Sequence, residues 1–97
     1  MLPPRRLRVI AGDSLPARLP WRRVVLARDG DENWCVGFRC PCGCRRRIEL
    51  LLIEEAKPHW TLLSHVADPV TLSPSVWLAE GCRSHFFLRD GQIRWCE

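Results

Sequence analysis

The stretch His85-Phe-Phe-Leu-Arg-Asp-Gly-Gln-Ile-Arg-Trp-Cys96 carries the clearest strand–turn–strand pattern in the chain. Five residues rich in aromatic and branched side chains precede Asp90-Gly91, and a second such run follows. Asp-Gly is the dipeptide that a two-residue type I′ turn favours, because both central residues take positive φ. The same pattern recurs upstream. Residues 22–28 (RRVVLAR) read as a strand, Asp29-Gly30 as a turn, and residues 33–39 (NWCVGFR) as the returning strand. Along that return Trp34, Val36 and Phe38 alternate with Cys35, Gly37 and Arg39. Short strands also fit Leu7–Ala11, Arg46–Ile53 and Trp60–Val66. Ser73-Pro74 ahead of Gly81 frames one short helix, with Ser73 as its cap and Gly81 as its stop. The sum is a mostly-β domain, a small barrel or sandwich with one short helix, closed by a metal site. Five tryptophans and three phenylalanines are expected to supply its core.

Ninety-seven residues make one small domain. Residues 1–20 are punctuated by Pro3, Pro4, Pro16 and Pro20 and read as an N-terminal extension; residues 21–97 read as the domain proper. A core this size usually needs a staple, and six cysteines offer one. No apolar run approaches the ~20 residues that span a bilayer. The N-terminus lacks the apolar segment of a secretion signal. A cytoplasmic setting without membrane partners follows, and cytoplasmic thiols stay reduced, which favours metal over disulfides. The net charge of +4 is uneven: residues 1–47 carry eleven arginines against four acids. A basic half of this kind suits nucleic acid or an acidic protein, and also reflects arginine bias alone.

Cys40-Pro-Cys42-Gly-Cys44 sets three thiols within five residues, with Pro and Gly forcing the backbone to turn. Cys82-Arg-Ser-His85 follows. Thiolate and imidazole are the ligands of tetrahedral zinc. Two chelating segments so far apart would tie the middle of the chain to its end, and metal binding would become folding free energy. The candidate ligands are Cys40, Cys42, Cys44, Cys82 and His85. Cys82 and His85 with two of the first three would complete a Cys3His set and leave one thiol spare. Cys35 and Cys96 read as packing thiols. Arg45, Arg46, Arg47 and Arg83 flank the site and can offset its negative charge. The same ligands also suit a Rieske-like [2Fe–2S] centre, although such a centre takes two histidines. No Gly-rich phosphate loop and no G-x-S-x-G is present. Glu49 and Glu80 read as solvated carboxylates, and His59 and His65 as ordinary histidines. The chain is therefore expected to be no enzyme.

The strings W-x-V-x-F-x-CPCGC at 34–44, PxW at 58–60, TLSPS at 71–75 and C-x-S-H-F-F-x-R-D-G-x-I-x-W at 82–95 resemble a bacterial family of small domains of unknown function with a CPCGC…CxxHF signature. The match covers residues 20–96. The resemblance implies a metal-binding domain with Cys40, Cys42, Cys44, Cys82 and His85 as its signature residues. It also implies neighbours in bacterial ubiquitin-like conjugation and phage defence, with E1-like, E2-like or ubiquitin-like proteins as partners. The expected function is then a structural zinc domain acting as a non-catalytic accessory or protein-interaction module. The alternatives are a Rieske-like [2Fe–2S] redox protein and a nucleic-acid-binding zinc module using the arginines at 5–8, 22–23 and 45–47.

Overall fold

The fold is seen in a computed structural model that describes residues 7–63, 69–78 and 80–96. Four strands form one sheet in the order β1-β2-β3-β4: Arg8–Gly12, Arg23–Asp29, Glu32–Arg39 and Arg47–Leu51. The β2–β3 and β3–β4 pairs are antiparallel, whereas β1 lies parallel to β2. A two-stranded piece joins β5 (Thr61–Leu62) to β6 (Leu72–Ser73). The third sheet has the order β7-β8-β9: Val76–Trp77, His85–Arg89 and Gln92–Trp95. Its β8–β9 turn is the expected one, with Asp90 and Gly91 at φ 53° and 74°. The first hairpin turns one residue later than expected, on Gly30-Asp31, because Asp29 pairs with Glu32.

The sheets share one core. Val24, Leu26, Val36, Phe38, Ile48 and Leu50 from the large sheet meet Leu72, Val76, Phe86 and Leu88 from the smaller ones. At its centre the Phe38 and Phe86 rings meet edge-on, 6.2 Å between centroids. The architecture is mostly β, with no closed barrel among the described residues. Among the described residues no helix is long and apolar enough to cross a membrane.

Two expectations fail here. Residues 73–81 do not form a helix: Leu72–Ser73 and Val76–Trp77 are strands. A helix of two turns is too short to nucleate without help, and β-branched Val76 instead pairs with Phe86 in a ladder. Three of the five tryptophans lie outside the core, and Trp60 only packs against it, partly buried. Trp34, Trp77 and Trp95 are 41%, 68% and 44% exposed, and of the aromatics only Phe38 and Phe86 are fully buried. Of the Trp60–Val66 strand, only Thr61–Leu62 is seen; residues 64–68, His65 among them, lie outside the described residues, as do Arg5, Arg6 and Ala79.

Candidate functional site

The loop from β3 to β4 and the turn from β7 to β8 meet at one end of the core. The backbone of Cys40 leaves β3 hydrogen-bonded to the carbonyl of Arg46 (2.8 Å), which closes the CPCGC loop into a tight knuckle. Gly43 sits at φ 103°, a conformation that an L side chain rarely adopts, so the loop needs a glycine there. Arg46 then reaches across to the turn, its Nη1 donating to the Glu80 carbonyl at 2.8 Å. This brings Cys82 to the knuckle. The sulfurs of Cys40, Cys42, Cys44 and Cys82 all lie within 4.8 Å of one another. Cys40 Sγ is 3.4 Å from Cys42 Sγ and 3.7 Å from Cys82 Sγ. A tetrahedral zinc with Zn–S bonds of about 2.3 Å sets its sulfurs about 3.8 Å apart, so the four thiols fit the ion.

Ser84 sits beneath the cluster as the one buried polar side chain among the described residues. Its hydroxyl lies 3.2 Å from Cys82 Sγ and 3.6 Å from Cys40 Sγ. That contact, helped by the Ser84 backbone and the neighbouring thiols, pulls the Cys82 thiol down to about 6 against the opposing effect of burial. Burial pushes Cys40 up to about 12, in spite of hydrogen bonds from Cys42 and Ser84 that favour its thiolate. Four thiols this close do not all ionise unaided; a divalent cation would supply the missing positive charge.

All three CPCGC thiols converge with Cys82. His85 stands apart from the cluster. In β8 the side chains alternate: Ser84 and Phe86 point into the core, and His85 projects from the opposite face. With the imidazole elsewhere, the set offers no histidine to a Rieske-like centre. Cys35 and Cys96 also lie apart from the four. Burial raises the Cys35 thiol.

The arginines reach backbone. Arg39 donates to the carbonyls of Leu19 (2.7 Å) and Arg45 (3.0 Å). Arg47 holds those of Pro16 and Ala17 and pairs with Glu49. Each stitches a loop to the large sheet.

His85 has a different partner. Its Nε2 lies 2.9 Å from the hydroxyl oxygen of Ser75. The Trp77 indole, directly opposite His85 in the β7–β8 register, stacks on the imidazole at 5.5 Å and 27°. The Trp60 indole N–H donates to the Ser75 carbonyl at 3.3 Å and fixes that backbone. Both Ser75 and His85 are half-buried. Acyl-transfer chemistry uses a hydroxyl within hydrogen-bond reach of an imidazole as its nucleophile–base pair. Ser75 closes the TLSPS string of residues 71–75, but nothing local in that string assigns it a role. The two residues are ten apart, and only the pairing of β7 with β8 brings them together.

The fold and site thus define a small, mostly-β domain with a four-thiol cluster and a half-buried Ser–His pair. Over residues 11–96 the chain matches, and belongs to, the family described as bacterial ubiquitination-like system serine protease (BubE). No curated protein and no solved structure matches it. The family match overturns the expectation of a chain without enzymatic activity. That expectation rested on the missing G-x-S-x-G and Gly-rich motifs and on reading His59, His65, Glu49 and Glu80 as ordinary side chains, and a fold-dependent site carries no such motif.

Proposed function

We propose that the protein is a serine peptidase in which Ser75 is the nucleophile, His85 its general base, and the four cysteines hold a structural zinc. The observation that carries this reading is the 2.9 Å contact between Ser75 Oγ and His85 Nε2 in a chain whose family is described as a serine protease. In the neutral tautomer protonated at Nδ1, Nε2 accepts the hydroxyl proton. Ser75 Oγ then attacks the carbonyl carbon of a peptide bond, and Nε2 takes the proton. The imidazolium returns that proton to the leaving amine, so the acyl group stays on Ser75. A water molecule, deprotonated by the same nitrogen, releases the acid and restores the hydroxyl. The indole face of Trp77 stabilises the imidazolium as it forms and holds the ring in plane.

Zinc, when bound by Cys40, Cys42, Cys44 and Cys82, supplies structural cross-linking rather than chemistry, since four protein thiolates leave no open coordination position. Cys82 and Ser84 precede His85 directly, so the same turn that closes the metal site launches the base.

The substrate in this reading is a protein of the ubiquitination-like system, with the bond at the C-terminus of its ubiquitin-like modifier as the point of cleavage. The test is incubation of the zinc-loaded protein with that modifier carrying a C-terminal extension, followed by intact-mass analysis. Cleavage by wild type and none by Ser75→Ala is expected. Equal cleavage by both proteins would overturn the role of Ser75. An intact modifier after wild-type treatment would overturn the substrate.

A further inference from the structure

Strand β7 lies at the edge of its sheet, and it starts one residue after Ser75. Val76 is opposite Phe86 and Trp77 opposite His85. The Leu78 N–H bonds to the Ser84 carbonyl at 2.8 Å, one position further along. In an antiparallel ladder, bonded and non-bonded pairs alternate. Leu78 and Val76 therefore exchange their bonds with β8, and Trp77 turns its N–H and C=O outward, away from the sheet. Among the described residues no backbone partner meets them. An outward donor and acceptor on one edge residue is the template to which an extended chain adds as a further strand.

We infer that the substrate binds as an extended strand added antiparallel to the edge of β7, through the backbone of Trp77. This rests on the peptidase reading above and names how that site takes its peptide. Antiparallel addition suits so short an edge, because a single substrate residue then closes both bonds; parallel addition would divide them between two residues. The direction fixes the register. The substrate residue opposite Trp77 comes first, the next faces Val76, and the third faces Ser75. Scission after that third residue places the Trp77 partner on the acyl side, two positions before the residue that Ser75 attacks.

Directly opposed residues share a face of the sheet. The side chain of the substrate residue opposite Trp77 thus lies beside the indole, which is 68% exposed. An apolar side chain there covers apolar surface that otherwise faces water. The occupant is an extended, unfolded segment with a bulky apolar residue third before the scissile bond, such as a protein tail or a linker between domains.

The test uses acetyl-capped tripeptide boronic acids on the zinc-loaded protein. The boron takes the lone pair of Ser75 Oγ to form a reversible bond, and the hydroxyl proton passes to His85. The reference carries Leu at its first position. One variant is N-methylated on that residue and loses the N–H that would meet the Trp77 carbonyl. Another is N-methylated on the second residue, whose N–H points away from β7. A third has Gly in place of Leu. Expected is a loss of about tenfold in affinity for the first variant and for the Gly variant, with the second variant close to the reference. Equal affinities across all four, with the adduct mapped to Ser75, would overturn the edge-strand inference and leave the peptidase standing. No adduct with any boronate would overturn both.

Discussion

Replacing Cys40 by alanine separates a metal ligand from a buried thiol by a margin that melting curves resolve. Cys40 is fully buried at the junction of core and cluster. If it were only a packing residue, its loss would resemble removal of one buried methylene-sized group, about 1 kcal/mol. For a domain of this size that lowers the melting temperature by roughly 4–8 °C. If it is one of four zinc ligands, much more goes with it. Structural zinc contributes on the order of 10 kcal/mol or more of apparent folding free energy, comparable to the whole stability of a small domain. The Cys40→Ala protein should then lose its zinc and its cooperative transition together. Cys35→Ala, outside the cluster, supplies the matched comparison and should keep both. The assay is elemental analysis paired with near-ultraviolet circular dichroism on heating. A Cys40→Ala protein that melts cooperatively within 8 °C of wild type would refute the reasoning.

Other outcomes follow from the same geometry. His85→Gln should abolish cleavage while leaving one zinc per chain, because the imidazole faces Ser75 and not the thiols; loss of zinc in this variant would return His85 to the ligand set. Arg46→Ala removes the bond to the Glu80 carbonyl that draws the Cys82 turn to the knuckle, and should weaken zinc binding about tenfold in competition with a chromophoric chelator. Zinc binding at pH 7 should release protons and tighten as pH rises, since Cys40, held at about 12, must give up its proton to bind; calorimetry in buffers of different ionisation enthalpy reads this directly. Cys82 adds a second pH dependence of the same sign in the metal-free protein. Its thiol falls from 9.0 to about 6 on folding, so its stabilising effect is complete above 9 and disappears as pH falls through about 6, which acid unfolding of the metal-free protein measures.

The hairpins were legible because strand alternation and turn dipeptides are local. Asp90-Gly91 and residues 85–96 fold as their sequence dictates, and the four clustered cysteines are four of the five residues that spacing singled out. What misled was the assumption that a CxxH points both side chains one way. Cys82 lies in the turn and His85 in the strand, and the pleat of β8 sends the imidazole to the far face. The Ser73–Gly81 frame misled for a related reason. A proline and a glycine at helix spacing mark breaks in any structure, and here they bound two short strands. Ser75 was legible only as the end of TLSPS, because its contact with His85 exists in space and not in sequence. The tryptophans were placed inside by their hydrophobicity, whereas Trp77 lies exposed on the surface, stacked against His85.

The most direct test is a native mass spectrum of the purified protein after treatment with a fluorophosphonate, with the modified residue mapped by peptide sequencing. One zinc and one phosphonyl adduct on Ser75 are expected in the same molecule, with the adduct missing from Ser75→Ala. An unmodified Ser75 in the zinc-loaded protein, or a folded chain that carries no metal, would contradict it.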